Sequence, residues 1–160
     1  LLEEAVKEIR GEKIKKVPEV KLELDLDLFL PPEYIEDGQQ RMEIYKKLSE
    51  VKNEKQIEDL KLELKDRFGP LPREALELLE VCELKLLCQE KYISKLFLRG
   101  KKFKIEFAKD KKVGKKEIES YGKKIDLPLE FYADGNLKIE IDLGQSRNRL
   151  KEMKKVLRKL

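Results

Sequence analysis

The sequence predicts an α+β fold, with a helical N-terminal half packed against a small, mainly antiparallel sheet formed by one early strand and the hairpins of the C-terminal half. Three observations predict it. Apolar residues recur at three- and four-residue spacing between residues 41 and 91, the period of a helix with one buried face. They alternate at two-residue spacing over 20–28, 102–107 and 129–141, the period of a strand with one buried and one wet face. The two patterns are segregated along the chain instead of alternating, which argues for α+β over α/β.

In order, residues 1–10 read as the end of a helix and Gly11 to Pro18 as a charged linker. Val20, Leu22, Leu24, Leu26 and Leu28 alternate with Lys21, Glu23, Asp25 and Asp27, predicting a strand stopped by Pro31-Pro32. Glu33 to Gln40 is a polar connection. The first central helix should bury Ile44, Leu48 and Val51, flanked by Met42 and Tyr45, and break at Asn53. A second, from Glu54, places Ile57, Leu60, Leu64 and Phe68 on one face. Gly69 suits the left-handed residue just past a helix end, and Pro72 the first turn of the next helix, where a missing N–H costs nothing. That third helix, Pro72 to Lys91, is hydrophobic at ten of the fourteen positions from Ala75 to Cys88, too many for one stripe. It should be the buried helix against which the others pack.

The remainder reads mainly as strands. Phe103, Ile105 and Phe107 pair with Leu96 to Leu98 across Gly100. A short helix spans Lys115 to Lys123, and a second hairpin sets Leu129 and Phe131 against Leu137, Ile139 and Ile141 across Asp134-Gly135. Ser146 should cap a last helix whose apolar face is Leu150, Met153, Leu157 and Leu160.

At 160 residues the chain suits one domain, and 40 % apolar content supplies a core although 44 % of residues are charged. No apolar run approaches the length that spans a bilayer, so a soluble, cytoplasmic protein without membrane contact is expected. The start at Leu1, within a helical pattern and without Met, points to a chain cut from something longer. Residues 1–90 carry 16 Lys and Arg against 23 Asp and Glu, whereas residues 91–160 carry 21 against 10, so an acidic front (−7) faces a basic back (+11).

The residues of enzymatic chemistry are scarce. There is no His and no glycine-rich phosphate loop. Cys82 and Cys88 are six apart in a helix, about 9 Å along its axis, so they cannot bridge within it and read as reduced core thiols. Acid pairs such as Asp25 with Asp27, or Asp59 with Glu63, read as ordinary solvating carboxylates. No catalytic residue, cofactor site or metal site is expected. Asp59, Glu63 and Asp66 fall within about 60° of one another on the second helix, with Arg67 adjacent, facing away from Leu60 and Leu64. This stripe is either a solvated face, with Glu63 and Arg67 paired, or a surface for a protein partner. A competing surface lies in the basic half. Lys101, Lys102, Lys104, Lys109, Lys111, Lys112, Lys115, Lys116, Lys151, Lys154, Lys155, Arg158 and Lys159 could follow a nucleic-acid backbone. Against that, Phe103 and Phe107 are needed by the sheet, and a Lys/Glu-rich composition is also typical of heat-adapted proteins.

The order Arg41-Met42-x-x-Tyr45-Lys46-Lys47-Leu48, followed by Glu63-Leu64-Lys65-Asp66-Arg67-Phe68-Gly69-Pro70-Leu71-Pro72, resembles the C-terminal domain of bacterial transcription-repair coupling factors. A looser likeness reaches back to Leu1-Leu2-Glu3-Glu4-Ala5-Val6. The resemblance implies that residues 1–17 end a connecting helix and linker from a parent translocase, and that 18–160 form a single regulatory domain without enzymatic activity of its own. ATP and magnesium would belong to the parent's motor. The implied partner is the N-terminal UvrA-binding module of the same chain, with UvrA and RNA polymerase as indirect partners and DNA contact as the alternative. The resemblance also favours the contact reading of the stripe, with Asp59, Glu63, Asp66 and Arg67 meeting the partner while Phe68, Gly69, Pro70 and Pro72 fix its geometry.

Overall fold

A computed structural model describes residues 17–160. The order of elements is β1 (Lys21–Leu24), α1 (Gly38–Ser49), α2 (Glu54–Phe68), α3 (Arg73–Glu90), β2 (Ile93–Arg99), β3 (Lys102–Phe107), α4 (Lys115–Lys124), β4 (Leu129–Asp134), β5 (Asn136–Asp142) and α5 (Arg149–Arg158). The strands form one sheet in the order β1-β2-β3-β5-β4, antiparallel except where β1 runs parallel to β2. This is the expected α+β arrangement. The expected helix over residues 1–10, and the linker as far as residue 16, lie outside the described residues.

Two apolar clusters result. One gathers the inner face of the sheet, including Leu96, Phe103, Ile105, Ile139 and Ile141, with α4 and α5 over it. The other joins Ile44 and Leu48 of α1 to Ile57, Leu60 and Leu64 of α2 and to Leu30 and Ile35 of the preceding connection. Helix α3 belongs to both. Ala75 and Leu79 sit in the helical cluster, whereas Leu84 and Cys88 sit in the sheet cluster. An 18-residue helix is about 27 Å long, enough to span the two. Its lack of a single stripe is therefore the signature of two different neighbours. Cys82 and Cys88 are both free thiols and fall in different clusters. Burial pushes the Cys88 thiol up to about 12.

Five boundaries differ from expectation, the simplest being that α1 ends at Ser49, short of Val51, while Asn53 caps α2 by accepting from the Gln56 amide. From Leu24 to Leu28 the alternation persists as alternating exposure, whereas Glu23 is half-buried like Leu22 and Leu24, and the ladder stops at Leu24, opposite Leu98. The reason is that β2 has run out, because its hairpin turns at Gly100, where φ is +58°. The Gly100 amide and the Arg149 guanidinium then seize the Asp25 carboxylate, each at 2.7 Å. Helix α1 begins at Gly38, inside the expected polar connection, because Asp37 caps it by accepting from the Gln39 and Gln40 amides. Pro72 stands one residue before the helix instead of in its first turn, with extended φ −70° and ψ 167°. Finally, Asn148 caps α5 by accepting from the Lys151 amide, while Ser146 accepts from the Asn148 amide one step earlier. No helix among the described residues is long and apolar enough to cross a membrane.

Candidate protein interface

The structure divides the polar stripe of α2 in two. Glu63 faces α1, where its carboxylate accepts from Lys47 Nζ at 2.6 and 2.9 Å, and it also meets Arg67 at 3.5 Å. The expected Glu63–Arg67 pair thus exists but is the longer of two contacts, and Glu63 ties two helices of its own domain together. Asp59 and Asp66 are exposed and form no ion pair among the described residues. Glu54 and Glu58 of the same helix are likewise exposed and without ion pairs among the described residues, so Asp59 and Asp66 are the unpaired members of the stripe.

Arg67 is placed with care. Its guanidinium lies 4.9 Å from the centre of the Phe68 ring, and that ring meets Tyr34 edge-on at 5.9 Å. The Tyr34 hydroxyl lies within donating distance of the Leu64 carbonyl (3.1 Å) and the Gly69 carbonyl (3.0 Å). Leu64 is in the last turn of α2 and Gly69 lies just past it, so Tyr34 ties the end of the helix to another segment. Burial raises the Tyr34 hydroxyl pKa, keeping it protonated as a donor. Gly69, at φ +89°, lets the chain leave the helix while its amide donates to Lys65. Pro70 is exposed and Pro72 half-buried, and between them they turn the chain into α3.

The motif of the first helix is equally tied down. Arg41 donates to the Ile35 and Glu36 carbonyls at 2.6 and 3.1 Å, and Tyr45 Oη accepts from the Leu30 amide at 2.7 Å. Together with Lys47 on Glu63, these contacts stitch the 30–37 connection and α2 onto α1. Sequence reading missed Tyr34 altogether, since a tyrosine beside two prolines in a polar loop gives no periodic signal.

In the basic half, Phe103 and Phe107 are buried as expected. Many of its cations have partners already. Lys102 and Lys104 share Glu140 (3.1 and 3.6 Å), Lys101 meets Asp142 (3.4 Å), and Lys154 bridges Glu80 and Glu83 of α3 (3.4 and 3.1 Å). Lys115 and Lys155 meet Glu119 and Glu152, and Lys111 lies 5.7 Å from the Tyr92 ring centre. Six of the thirteen cations thus have a carboxylate within 4.0 Å, whereas Lys109, Lys112, Lys116, Lys151, Arg158 and Lys159 have none among the described residues. Among the described residues, no three His, Cys, Asp or Glu side chains gather as a metal site.

Fold and surface together define a small α+β domain that presents an anchored helix with a mixed-charge outer face. The chain belongs to the TRCF domain family, whose model matches residues 24–118. It is 43 % identical over 110 residues to a transcription-repair-coupling factor of Staphylococcus haemolyticus, a match covering 68 % of this chain and 9 % of that protein. It is 45 % identical over 103 residues to the corresponding factor of Staphylococcus aureus strain USA300, covering 63 % of this chain and again 9 % of the relative. The chain therefore spans about a tenth of the length of these relatives. Its fold matches a crystal structure of the C-terminal domain of transcription-repair coupling factor with a TM-score of 0.74, at 23 % identity, over 91 % of this chain and 92 % of that one.

Proposed function

We propose that this chain is the C-terminal regulatory domain of a transcription-repair coupling factor, and that it folds back on the parent's N-terminal module to cover the surface that binds UvrA. The domain acts by binding and occlusion, and residues 18–160 are its extent. Nucleotide and magnesium belong to a motor elsewhere in the parent, a cytoplasmic translocase that engages stalled RNA polymerase. One observation carries the reading: α2 holds Asp59 and Asp66 outward without partners among the described residues, on a helix whose far end is fixed by Tyr34 and Gly69. Charges displayed from a rigid support orient a partner well. Family membership supports the assignment to a coupling factor.

The clasp can be weak and still hold. Tethering within one chain supplies an effective concentration up to about the millimolar range, and a coupling of roughly 1–3 kcal/mol is then enough to switch. Movement of the motor would release it. The test is the UvrA affinity of the full-length parent with and without this domain, at one salt concentration. Tighter binding after deletion is the expected result, and unchanged binding would remove the domain from UvrA control.

A further inference from the structure

The outer face of α2 carries a feature that its charges do not explain. Ile57, Leu60 and Leu64 are at most 6 % exposed, yet Leu62 on the same helix is 59 % exposed. At about 100° per residue, Leu62 lies opposite that buried face, some 40° from Asp66 and 60° from Asp59. An isolated surface leucine is ordinary. This one, however, is flanked at i−4, i−3 and i+4 by Glu58, Asp59 and Asp66, three exposed carboxylates that form no ion pair among the described residues, with Lys65 at i+3, whereas Glu63 is already held by Lys47. An apolar side chain within a ring of unspent charge is the anatomy of an interface centre, where the desolvated apolar anchor supplies affinity and the charges supply orientation.

We infer that Leu62 is the apolar anchor of the clasp, seated in an apolar hollow on the rest of the parent chain, with Lys or Arg around that hollow meeting Asp59 and Asp66. The inference rests on the reading above and adds the chemistry of the occupied surface. Three carboxylates against one lysine, Lys65, around Leu62 favour a mainly basic rim on the partner. The relatives' length places ample surface for it outside this chain, which spans 9 % of them. Glu63, engaged at 2.6 Å within the domain, contributes to the shape of the helix pair instead of to the contact.

The experiment compares the full-length parent with its Leu62→Gln and Asp66→Asn variants and with the domain deletion, reading UvrA affinity at roughly 0.1 and 0.5 M salt. Gln keeps helix propensity and length, so at an exposed site the melting temperature should stay unchanged. Leu62→Gln is expected to tighten UvrA binding by about tenfold, up to the limit set by the deletion, and by a similar factor at both salt concentrations. Asp66→Asn should give a smaller gain that shrinks at high salt. If deletion tightens binding and Leu62→Gln does not, the anchor is wrong and the regulatory role stands. If deletion changes nothing, both fall.

Discussion

The Tyr34 hydroxyl sits 3.0 Å from the Gly69 carbonyl and 3.1 Å from that of Leu64, so a residue from the loop after Pro31-Pro32 closes the C-terminal end of α2. Its ring also supports Phe68, on which Arg67 rests. Tyr34→Phe keeps the ring and removes the donor. The expected loss is about 1 kcal/mol, the net worth of a hydrogen bond whose acceptor stays partly buried. Chemical denaturation of the two proteins would measure it. Equal midpoints would mean that water replaces the hydroxyl at no cost.

The pairing of Lys47 with Glu63 makes a second, contrasting prediction. The resemblance gives Glu63 a partner-facing role, and the structure adds a pairing within the domain. It sets Glu63→Lys against Lys47, with both side chains about a third to a half exposed. Solvent screening limits the penalty to roughly 1 kcal/mol or less. Lys47→Glu combined with Glu63→Lys should recover most of it. A double-mutant cycle on thermal stability reads the coupling, and additive losses would show that the pair contributes nothing.

Phe68 ends the apolar face of α2 but is only half-buried, with Arg67 over one side of its ring. Phe68→Ala should therefore cost roughly 1–3 kcal/mol, less than the 3–5 typical of an enclosed phenylalanine. Because Arg67 loses its platform, the same change should also loosen the proposed clasp. Calorimetry of the variant, set beside Phe68→Leu, separates lost packing from the lost aromatic face. A melting temperature equal to wild type would place Phe68 outside the core.

Much of this was legible in the chain because the information is local. The periods that mark α2, β3 and the β4–β5 hairpin are set by which side chains face the core, and Asp134-Gly135 supplied its turn. What escaped is non-local. The truncation of β1 at Leu24 depends on where β2 ends, 75 residues away in the Asp25–Gly100 contact. The division of labour on α2 depends on Lys47, 16 residues before Glu63, which no helical wheel can display. Asp59, Glu63 and Asp66 look alike on a wheel, and only packing separates the tether from the free charges. Leu62 broke the pattern of its own helix, a signal present in the sequence and passed over because it opposed the buried face.

The Asp25 cluster ties stability to pH. Its carboxylate accepts from the Gly100 amide and from Arg149, each at 2.7 Å, joining the end of β1 to the β2–β3 turn and to α5. Desolvation pushes its pKa up, but the Gly100 amide and the Arg149 guanidinium outweigh it and hold the carboxyl below its ordinary 3.8. With the folded value depressed, the unfolded chain binds the proton first as pH falls. The contribution is therefore complete above the unfolded value and is lost as pH drops through the folded one. The carboxylate is 39 % exposed, so screening reduces its worth to about 1 kcal/mol or less. Asp25→Asn should lower the melting temperature at neutral pH and should flatten the fall in stability below the unfolded value. Melting curves of both proteins from neutral pH to about pH 2.5 would show the two stabilities converging as Asp25 protonates. A constant gap across that range would mean that the carboxylate's charge is irrelevant and that its shape alone holds the turn.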